Sequence, residues 1–217
     1  MSTFVTPAIP LRIDPFMRDD EVVTLYTRSH GKLQARIRGG QKLSSKLSQR
    51  FHVMQELDVM IAPGRHMAIV AGVQTRRMLP QLQTDALRRM VALCVTDTLN
   101  QITAENDAAV DVYDFVSFWL ASIASEVPAR LHGSYVALIV WRLLSKTGFA
   151  PDTTNLKHVI LAALQDASIE SEAHILIQSL PFAEQVEAGR EALPIIESIL
   201  EQEIKGLRVL RDTTISF

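Results

Sequence analysis

The 217-residue sequence predicts an α+β protein in which a small β-barrel, residues 1–79, precedes an all-helical domain, residues 80–217. Three observations support this prediction. Short runs rich in β-branched residues alternate polar and apolar side chains before residue 79. After Pro80 the apolar residues recur at three-and-four spacing. The charge also changes sign between the two parts.

The clearest strands form a predicted hairpin. Lys32–Arg38 alternates without a break, so that Leu33, Ala35 and Ile37 share one face. The preceding run, 21–28, is rich in β-branched residues. The link Ser29-His30-Gly31 ends in glycine, which suits a loop whose last residue has a positive φ.

Three further strands are expected at 4–13, 51–61 and 66–75, with a turn at Pro63-Gly64. Five short strands in the first 79 residues favour an OB-type barrel. The polar stretch 39–49 is expected to be a long loop, with a short helix at its end.

The remaining chain predicts a helical bundle. Thr84 is expected to cap a first helix, and a second carries apolar residues from 112 to 123. A third helix, 131–146, is apolar nearly all round, which predicts a buried central position and an end at Gly148. Helical patterns return at 156–164 and 195–204, the latter ending at Gly206.

Composition excludes several classes of protein. Hydrophobic residues make up 47% and charged residues 21%, as in globular chains. No apolar run reaches the roughly 20 residues of a membrane span, and no signal peptide is expected, so a cytoplasmic location is the default. The single cysteine, Cys94, is expected to be a buried small hydrophobe. No metal or other cofactor is expected, and Asp19-Asp20-Glu21 is interpreted as a solvated turn.

The formal net charge of -2 hides a strongly basic first part. Residues 1–79 have six more basic than acidic side chains, whereas residues 80–217 have eight more acidic than basic ones. Between Val22 and Gln55 there are seven cations and no acidic residue: Arg28, Lys32, Arg36, Arg38, Lys42, Lys46 and Arg50. Several cations on one surface can meet successive phosphates, which predicts DNA binding.

The alternative is a solvated outer face of the barrel, although such faces normally mix both signs. Tyr26 and Phe51 are the only aromatic residues near these cations, so backbone tracking with little sequence preference is expected.

Three segments in chain order resemble the RecO family of bacterial recombination mediators. They are DEVVTLYTRSHGKL at 20–33 with its continuation RGGQK at 38–42, RLLSKTGFAPD at 142–152, and GLRVLR at 206–211. The resemblance implies an N-terminal OB domain, binding of single- and double-stranded DNA, strand annealing, and loading of recombinase onto DNA coated with single-strand-binding protein. RecR and the acidic C-terminal tail of that coating protein are the partners that the resemblance implies.

Many members of that family carry a four-cysteine zinc motif after APD. This chain has Asp152 to His158 there without a cysteine, so zinc binding is not carried over.

The third predicted helix offers a partner site. One stripe at three-and-four spacing, with a cation at the helix start, combines apolar and basic side chains that suit an acidic peptide: Arg130, Tyr135, Leu138, Arg142 and Lys146. The alternative is that Tyr135 and Leu138 belong to the core and the cations extend to water.

The leading hypothesis is a DNA-binding mediator that is not an enzyme, because no catalytic constellation is present. The segment 39–44 lacks the GxxxxGK[ST] spacing of a phosphate loop. The second hypothesis is a protein-only adaptor whose basic face docks an acidic partner. A hydrolase is a distant third.

Overall fold

The structure is a computed structural model that describes residues 2–42, 45, 47, 50–127, 130–149, 153 and 157–200. Internal contacts divide the chain into two compact units. The first contains Met1–Leu79 and Thr103–Ser117, and the second contains Pro80–Ile102 and the chain from Phe118 onward. The segment Thr103–Ser117, which lies in the predicted helical part, therefore packs with the strands.

Five strands of the first unit form a closed barrel in the order β1-β2-β3-β5-β4. Their bounds are β1 Phe4–Phe16, β2 Asp20–Thr27, β3 Gly31–Ile37, β4 Glu56–Ala62 and β5 Ala68–Arg77. Neighbouring strands pair antiparallel except β3 and β5, which pair in parallel at Ala35–Ala68 and Arg36–Ile69. This arrangement confirms the predicted OB-type barrel followed by helices.

The predicted hairpin has the expected register and faces. Leu25 of β2 pairs with Leu33 of β3, and both side chains are buried in the barrel core with Ala35 and Ile37. Gly31, the last residue of the link, has a φ of 65°. The alternation of β3 and the positive φ at the turn are therefore confirmed.

The strand predicted over 51–61 begins later, at Glu56. Met54 has a φ of 64° and its N–H donates to the Pro10 carbonyl, 3.1 Å away, so the chain turns there before it extends. The interpretation of 39–49 as a loop falls partly outside the described residues, which exclude positions 43, 44, 46, 48 and 49.

Seven helices are described: α1 Pro80–Thr84, α2 Ala86–Ile102, α3 Val110–Ser125, α4 Gly133–Lys146, α5 Val159–Asp166, α6 Glu170–Ser179 and α7 Phe182–Leu200. The predicted cap of the first long helix was wrong by one residue. Asp85 accepts a hydrogen bond from the Arg88 N–H at 3.0 Å, as an N-cap side chain does. Thr84 instead donates its hydroxyl to the Pro80 carbonyl.

Helix α4 is the buried centre of the second unit, as its apolar sequence predicts. Every residue from Ser134 to Leu144 is buried. The helix ends at Lys146, and Gly148 has a φ of 84°, which confirms the predicted stop. Helix α6 and the first part of α7 are not predicted, because their sequences are rich in glutamate and lack a clear apolar stripe. The predicted end at Gly206 and the match at 206–211 lie outside the described residues.

In the described part of the chain, none of the helices combines the length and the apolar character needed to cross a lipid bilayer.

Candidate nucleic-acid interface

The β2–β3 hairpin positions most of the predicted cations. Lys32 and Arg36 lie on the outer side of β3 and are half-buried, and Gln34 between them is exposed. Arg28 follows the end of β2, and Arg38 follows the end of β3, where its side chain is exposed. The regular alternation of β3 therefore directs three polar side chains away from the barrel core, as predicted.

Arg36 is held in place by Asp20. The Asp20 carboxylate forms an ion pair with the Arg36 guanidinium and also accepts the Gly39 N–H at 2.6 Å. The Gly39 hydrogen bond and the Arg36 charge hold the pKa of Asp20 below its ordinary value of 3.8, against the opposing effect of its burial. The interpretation of this residue as part of a solvated turn was wrong, because its side chain is only 11% exposed.

An open cleft of about 460 Å³ lies beside this pair. It is lined by residues of the β1–β2 turn, of β3 and of the segment that follows: Met17, Arg18, Asp19, Asp20, Arg36, Gly39 and Lys42. Arg18 and Lys42 are exposed at its edge, and the Lys42 ammonium lies 3.3 Å from an Asp19 carboxylate oxygen. Arg18 is absent from the predicted set because it lies before Val22 in the sequence, beside the acidic trio. The cleft thus joins cations that are distant in the sequence.

The other end of the hairpin contacts an acidic segment, Thr103–Ser117, which has four acidic residues and no basic one. The Asn106 N–H donates to the Lys32 carbonyl at 2.8 Å. The Arg28 guanidinium binds the Asp114 carboxylate through two hydrogen bonds of 3.0 and 3.1 Å. With this segment included, the basic excess of the first unit falls from six to two.

Lys32 is also affected by this environment. Its partial burial lowers the pKa of its ammonium group, and the charge of Glu105 opposes that effect. No acidic residue lies between Val22 and Gln55 in the sequence, yet four of the seven cations have acidic neighbours in space. Those of Arg28 and Lys32 come from a segment more than 70 residues further along the chain. Those of Arg36 and Lys42 come from the β1–β2 turn and the start of β2.

Arg50 and Lys46 complete the predicted set of cations. Arg50 is exposed and donates to the Val73 carbonyl at 3.5 Å. Lys46 lies outside the described residues. The two aromatic residues near the cations, Tyr26 and Phe51, are 1% and 4% exposed, so neither ring is available to stack on a base. The interface can contact phosphates, but these two aromatics do not contribute to it.

The predicted partner stripe on α4 is not an accessible groove. Tyr135 and Leu138 are buried in the core of the second unit. Arg142 is 3% exposed, and its guanidinium donates to the carbonyls of Leu164, Gln165 and Ala167 and to the Glu170 carboxylate. The alternative interpretation, with Tyr135 and Leu138 in the core, agrees with their burial, but its expectation that Arg142 extends to water was wrong.

The two remaining residues of the stripe differ. The Lys146 ammonium lies 3.3 Å from the same Glu170 carboxylate. Arg130 is exposed. The cationic rim proposed for an acidic peptide is thus reduced to Arg130 among the five residues.

Catalytic and metal chemistry find little support in the described part of the chain. Burial raises the pKa of the Cys94 thiol to about 12, which opposes formation of a nucleophilic thiolate. No group of three or more His, Cys, Asp or Glu side chains is placed to hold a metal ion among the residues that the structure describes.

A closed five-stranded barrel with a basic outer hairpin, followed by helices, defines a two-part protein of the OB class. The family model described as recombination protein O N terminal matches residues 1–84. The chain is 28% identical to the DNA repair protein RecO of Gloeobacter violaceus over 155 residues, which cover 69% of this chain and 57% of that protein.

Two other relatives give similar values. The DNA repair protein RecO of Bifidobacterium longum is 25% identical over 70% of this chain and 63% of its own length. That of Cutibacterium acnes is 26% identical, with the same two coverages. The matched part thus spans less than two thirds of these relatives. The chain is therefore similar to RecO proteins, and its first 84 residues match the N-terminal model of that family.

Proposed function

We propose that this chain acts in DNA repair as a DNA-binding recombination mediator that anneals strands and helps to load recombinase onto single-stranded DNA coated by single-strand-binding protein. The names of its relatives support a role in DNA repair. Annealing requires that two polyanionic strands be neutralised and held close together, and no covalent chemistry is needed. The proposed activity is therefore not enzymatic.

The cation-lined cleft is the observation that carries this proposal. Arg18, Arg36 and Lys42 line it, and the exposed Arg38 follows β3 nearby. Cations around an open depression suit phosphate groups without selecting a base sequence. The proposed ligands are both single- and double-stranded DNA, because both present the same phosphate backbone.

The proposed protein partners are RecR and the acidic C-terminal tail of single-strand-binding protein. The similarity to RecO proteins supports these partners. The buried stripe on α4 does not provide the site for the tail, as described above. Residues 150–152 and 154–156, where RecR recruitment without a zinc motif is in question, lie outside the described residues.

The test is a titration of the full chain with fluorescently labelled single-stranded DNA across a salt series. If four cations contact phosphates, the logarithm of the association constant falls with the logarithm of salt concentration at a slope of about -3. A slope near zero would overturn the proposal, because phosphate contact is its physical basis.

A protein-only adaptor is the second candidate function, and one observation favours it. The acidic segment Thr103–Ser117 already contacts Arg28 and Lys32, so the hairpin can hold acidic peptide. An adaptor would bind an acidic peptide and leave labelled single-stranded DNA unbound at low salt. The mediator would bind DNA under the same conditions, so one pair of titrations separates the two functions.

A further inference from the structure

The acidic segment Thr103–Ser117 divides the basic surface of the first unit into two parts. At the tip of the β2–β3 hairpin, Arg28 and Lys32 contact this segment. At the opposite end of β3, Arg36 and Arg38 lie near the cleft beyond the reach of those contacts. The cations of the hairpin are therefore not equivalent.

The contact at the hairpin tip is built from backbone as well as side chains. Beyond the hydrogen bond between Asn106 and Lys32, the chain passes very close to Gly31. A Cβ atom on Gly31 would lie 1.9 Å from the Asp107 carbonyl oxygen. Only glycine allows this approach, so the turn needs Gly31 for the segment Thr103–Ser117 to pack against it. That packing holds the acidic side chains of the segment beside the hairpin tip.

Asp114 occupies the face of Arg28 that a phosphate would need. Its two carboxylate oxygens accept from the Nε and Nη2 atoms of the guanidinium. Phosphate and carboxylate use the same forked geometry, so one excludes the other. Burial raises the pKa of the neighbouring Tyr26 to about 12, and the negative charges of Asp107 and Asp111 add to that shift. A strand of DNA at the tip would therefore meet like charges.

The acidic side chains at the cleft end are held less firmly. Arg18 and Arg38 are exposed, and the Lys42–Asp19 pair has one contact of 3.3 Å between side chains that are 58% and 61% exposed. Such a pair contributes little free energy, so a phosphate can replace the carboxylate at small cost. Asp20 is the exception, since it is buried and engaged by Arg36 and Gly39. The Arg28–Asp114 pair has similar exposure, 46% and 54%, but two hydrogen bonds hold it and its carboxylate belongs to the docked segment.

We infer that the DNA path on the barrel runs over Arg18, Arg36, Arg38 and Lys42 and ends before the hairpin tip, where the Asp114 carboxylate excludes phosphate from Arg28. This inference rests on the proposed DNA-binding function. It adds Arg18 to the predicted contacts, removes Arg28 from them, and makes Thr103–Ser117 the boundary of the bound strand.

The experiment measures the salt dependence of binding to labelled single-stranded DNA for the full chain and six variants: Arg18→Gln, Arg38→Gln, Arg28→Gln, Asp114→Asn, Asp58→Asn and the double variant that combines Asp114→Asn with Arg28→Gln. Asp58 is the matched control for Asp114. It also pairs with an exposed arginine of the first unit, Arg76, at 2.9 Å, and its removal changes the net charge equally. Arg76 lies near the end of β5 remote from the Ile69–Arg36 pairing. Circular dichroism confirms that each variant is folded.

The expected result has three parts. Arg18→Gln and Arg38→Gln each reduce the magnitude of the slope by about 0.7, the value of one phosphate contact with a single strand. Arg28→Gln leaves the slope unchanged. Asp114→Asn increases its magnitude by about 0.7, so that a fourfold rise in salt weakens this variant about threefold more than the wild type. The gain disappears when Arg28→Gln is added, and Asp58→Asn does not produce it.

Two results would overturn the inference while DNA binding stands. If Arg28→Gln reduced the slope as much as Arg38→Gln does, the hairpin tip would lie within the DNA path. If Asp114→Asn behaved like Asp58→Asn, the Asp114 carboxylate would not limit the DNA path. A wild-type chain without salt-dependent binding would instead overturn the proposed function, and the inference with it.

Discussion

Asp20 forms an ion pair with Arg36 diagonally across the β2–β3 ladder. The residue directly opposite Arg36 is Val22, two positions further along β2. The same carboxylate accepts the N–H of Gly39, whose φ of 62° turns the chain back toward β2. One buried side chain therefore fixes both a cation of the candidate interface and the segment that leads to Lys42.

Replacement of this carboxylate should make the barrel less stable in a pH-dependent way. The folded-state pKa of Asp20 is lowered, chiefly by the Gly39 hydrogen bond, so its stabilising effect is complete above its ordinary value of 3.8. The effect is lost as the pH falls through the lower folded value. Urea unfolding of wild type and Asp20→Asn should thus differ most at neutral pH and converge as the pH falls below the ordinary value of 3.8.

Asp14→Asn provides the control for that comparison. Asp14 also pairs with an arginine, Arg12, but the two side chains are 40% and 65% exposed. Exposed pairs contribute little, so this change should alter the free energy of unfolding only slightly at any pH. Equal destabilisation by both variants would contradict the structural role of Asp20.

Gly31→Ala should destabilise the first unit by more than the cost of placing an alanine at a positive φ. Both Gly31 and Gly148 have positive φ values, 65° and 84°, which cost an alanine about 1 to 2 kcal/mol. Only at Gly31 would the new methyl group collide with another segment, at the Asp107 carbonyl, whereas nothing lies within 4 Å at Gly148. Chemical denaturation of both variants measures the difference. Similar losses would mean that Thr103–Ser117 is not docked at the turn.

Arg142→Ala should lower the free energy of unfolding by about 3 to 5 kcal/mol, because it breaks a buried ion pair with Glu170 and leaves three carbonyls without their donor. Lys146→Ala removes a more exposed partner of the same carboxylate and should cost less. Urea denaturation at neutral pH provides both values. If Arg142→Ala left stability unchanged while weakening binding of an acidic peptide, α4 would be a binding surface after all.

Cys94 should resist thiol reagents in the native protein. It is 1% exposed, and burial raises the pKa of its thiol to about 12, so almost no thiolate is present at pH 8. The sequence has one cysteine, which makes the signal unambiguous. A chromogenic disulfide reagent should react slowly without denaturant and rapidly in urea. Rapid reaction of the native protein would show that the side of α2 that carries the Cys94 thiol is accessible to solvent.

Local patterns in the sequence predicted much of the barrel. The strict alternation of Lys32–Arg38 was sufficient because side chains on a strand alternate between two faces, whatever the rest of the chain does. Gly31 signalled the turn for an equally local reason, the steric limit on positive φ. The buried α4 was predicted because a helix that is apolar on all sides has no face for water.

The features that the sequence did not predict depend on partners distant in the chain. Arg142 has the sequence context of an exposed cation, but three carbonyls at the C-terminal end of α5 and the Glu170 carboxylate satisfy its guanidinium in the interior. Asp114 lies 86 residues from Arg28, so no local pattern links them. Asp20 looked solvated since the residue that engages it, Arg36, belongs to another strand.

The parallel pairing of β3 and β5 also affects how the barrel moves. It has two residue pairs, Ala35–Ala68 and Arg36–Ile69, whereas β2 and β3 are paired along their whole length. We expect local opening of the barrel at this short β3–β5 pairing. Amide protons there should exchange with solvent before those of the β2–β3 ladder. Arg36 belongs to the β3–β5 pairing, so a strand of DNA bound beside it would stabilise the closed form of that pairing. Amide exchange at Ala68 and Ile69 would then slow when DNA is added.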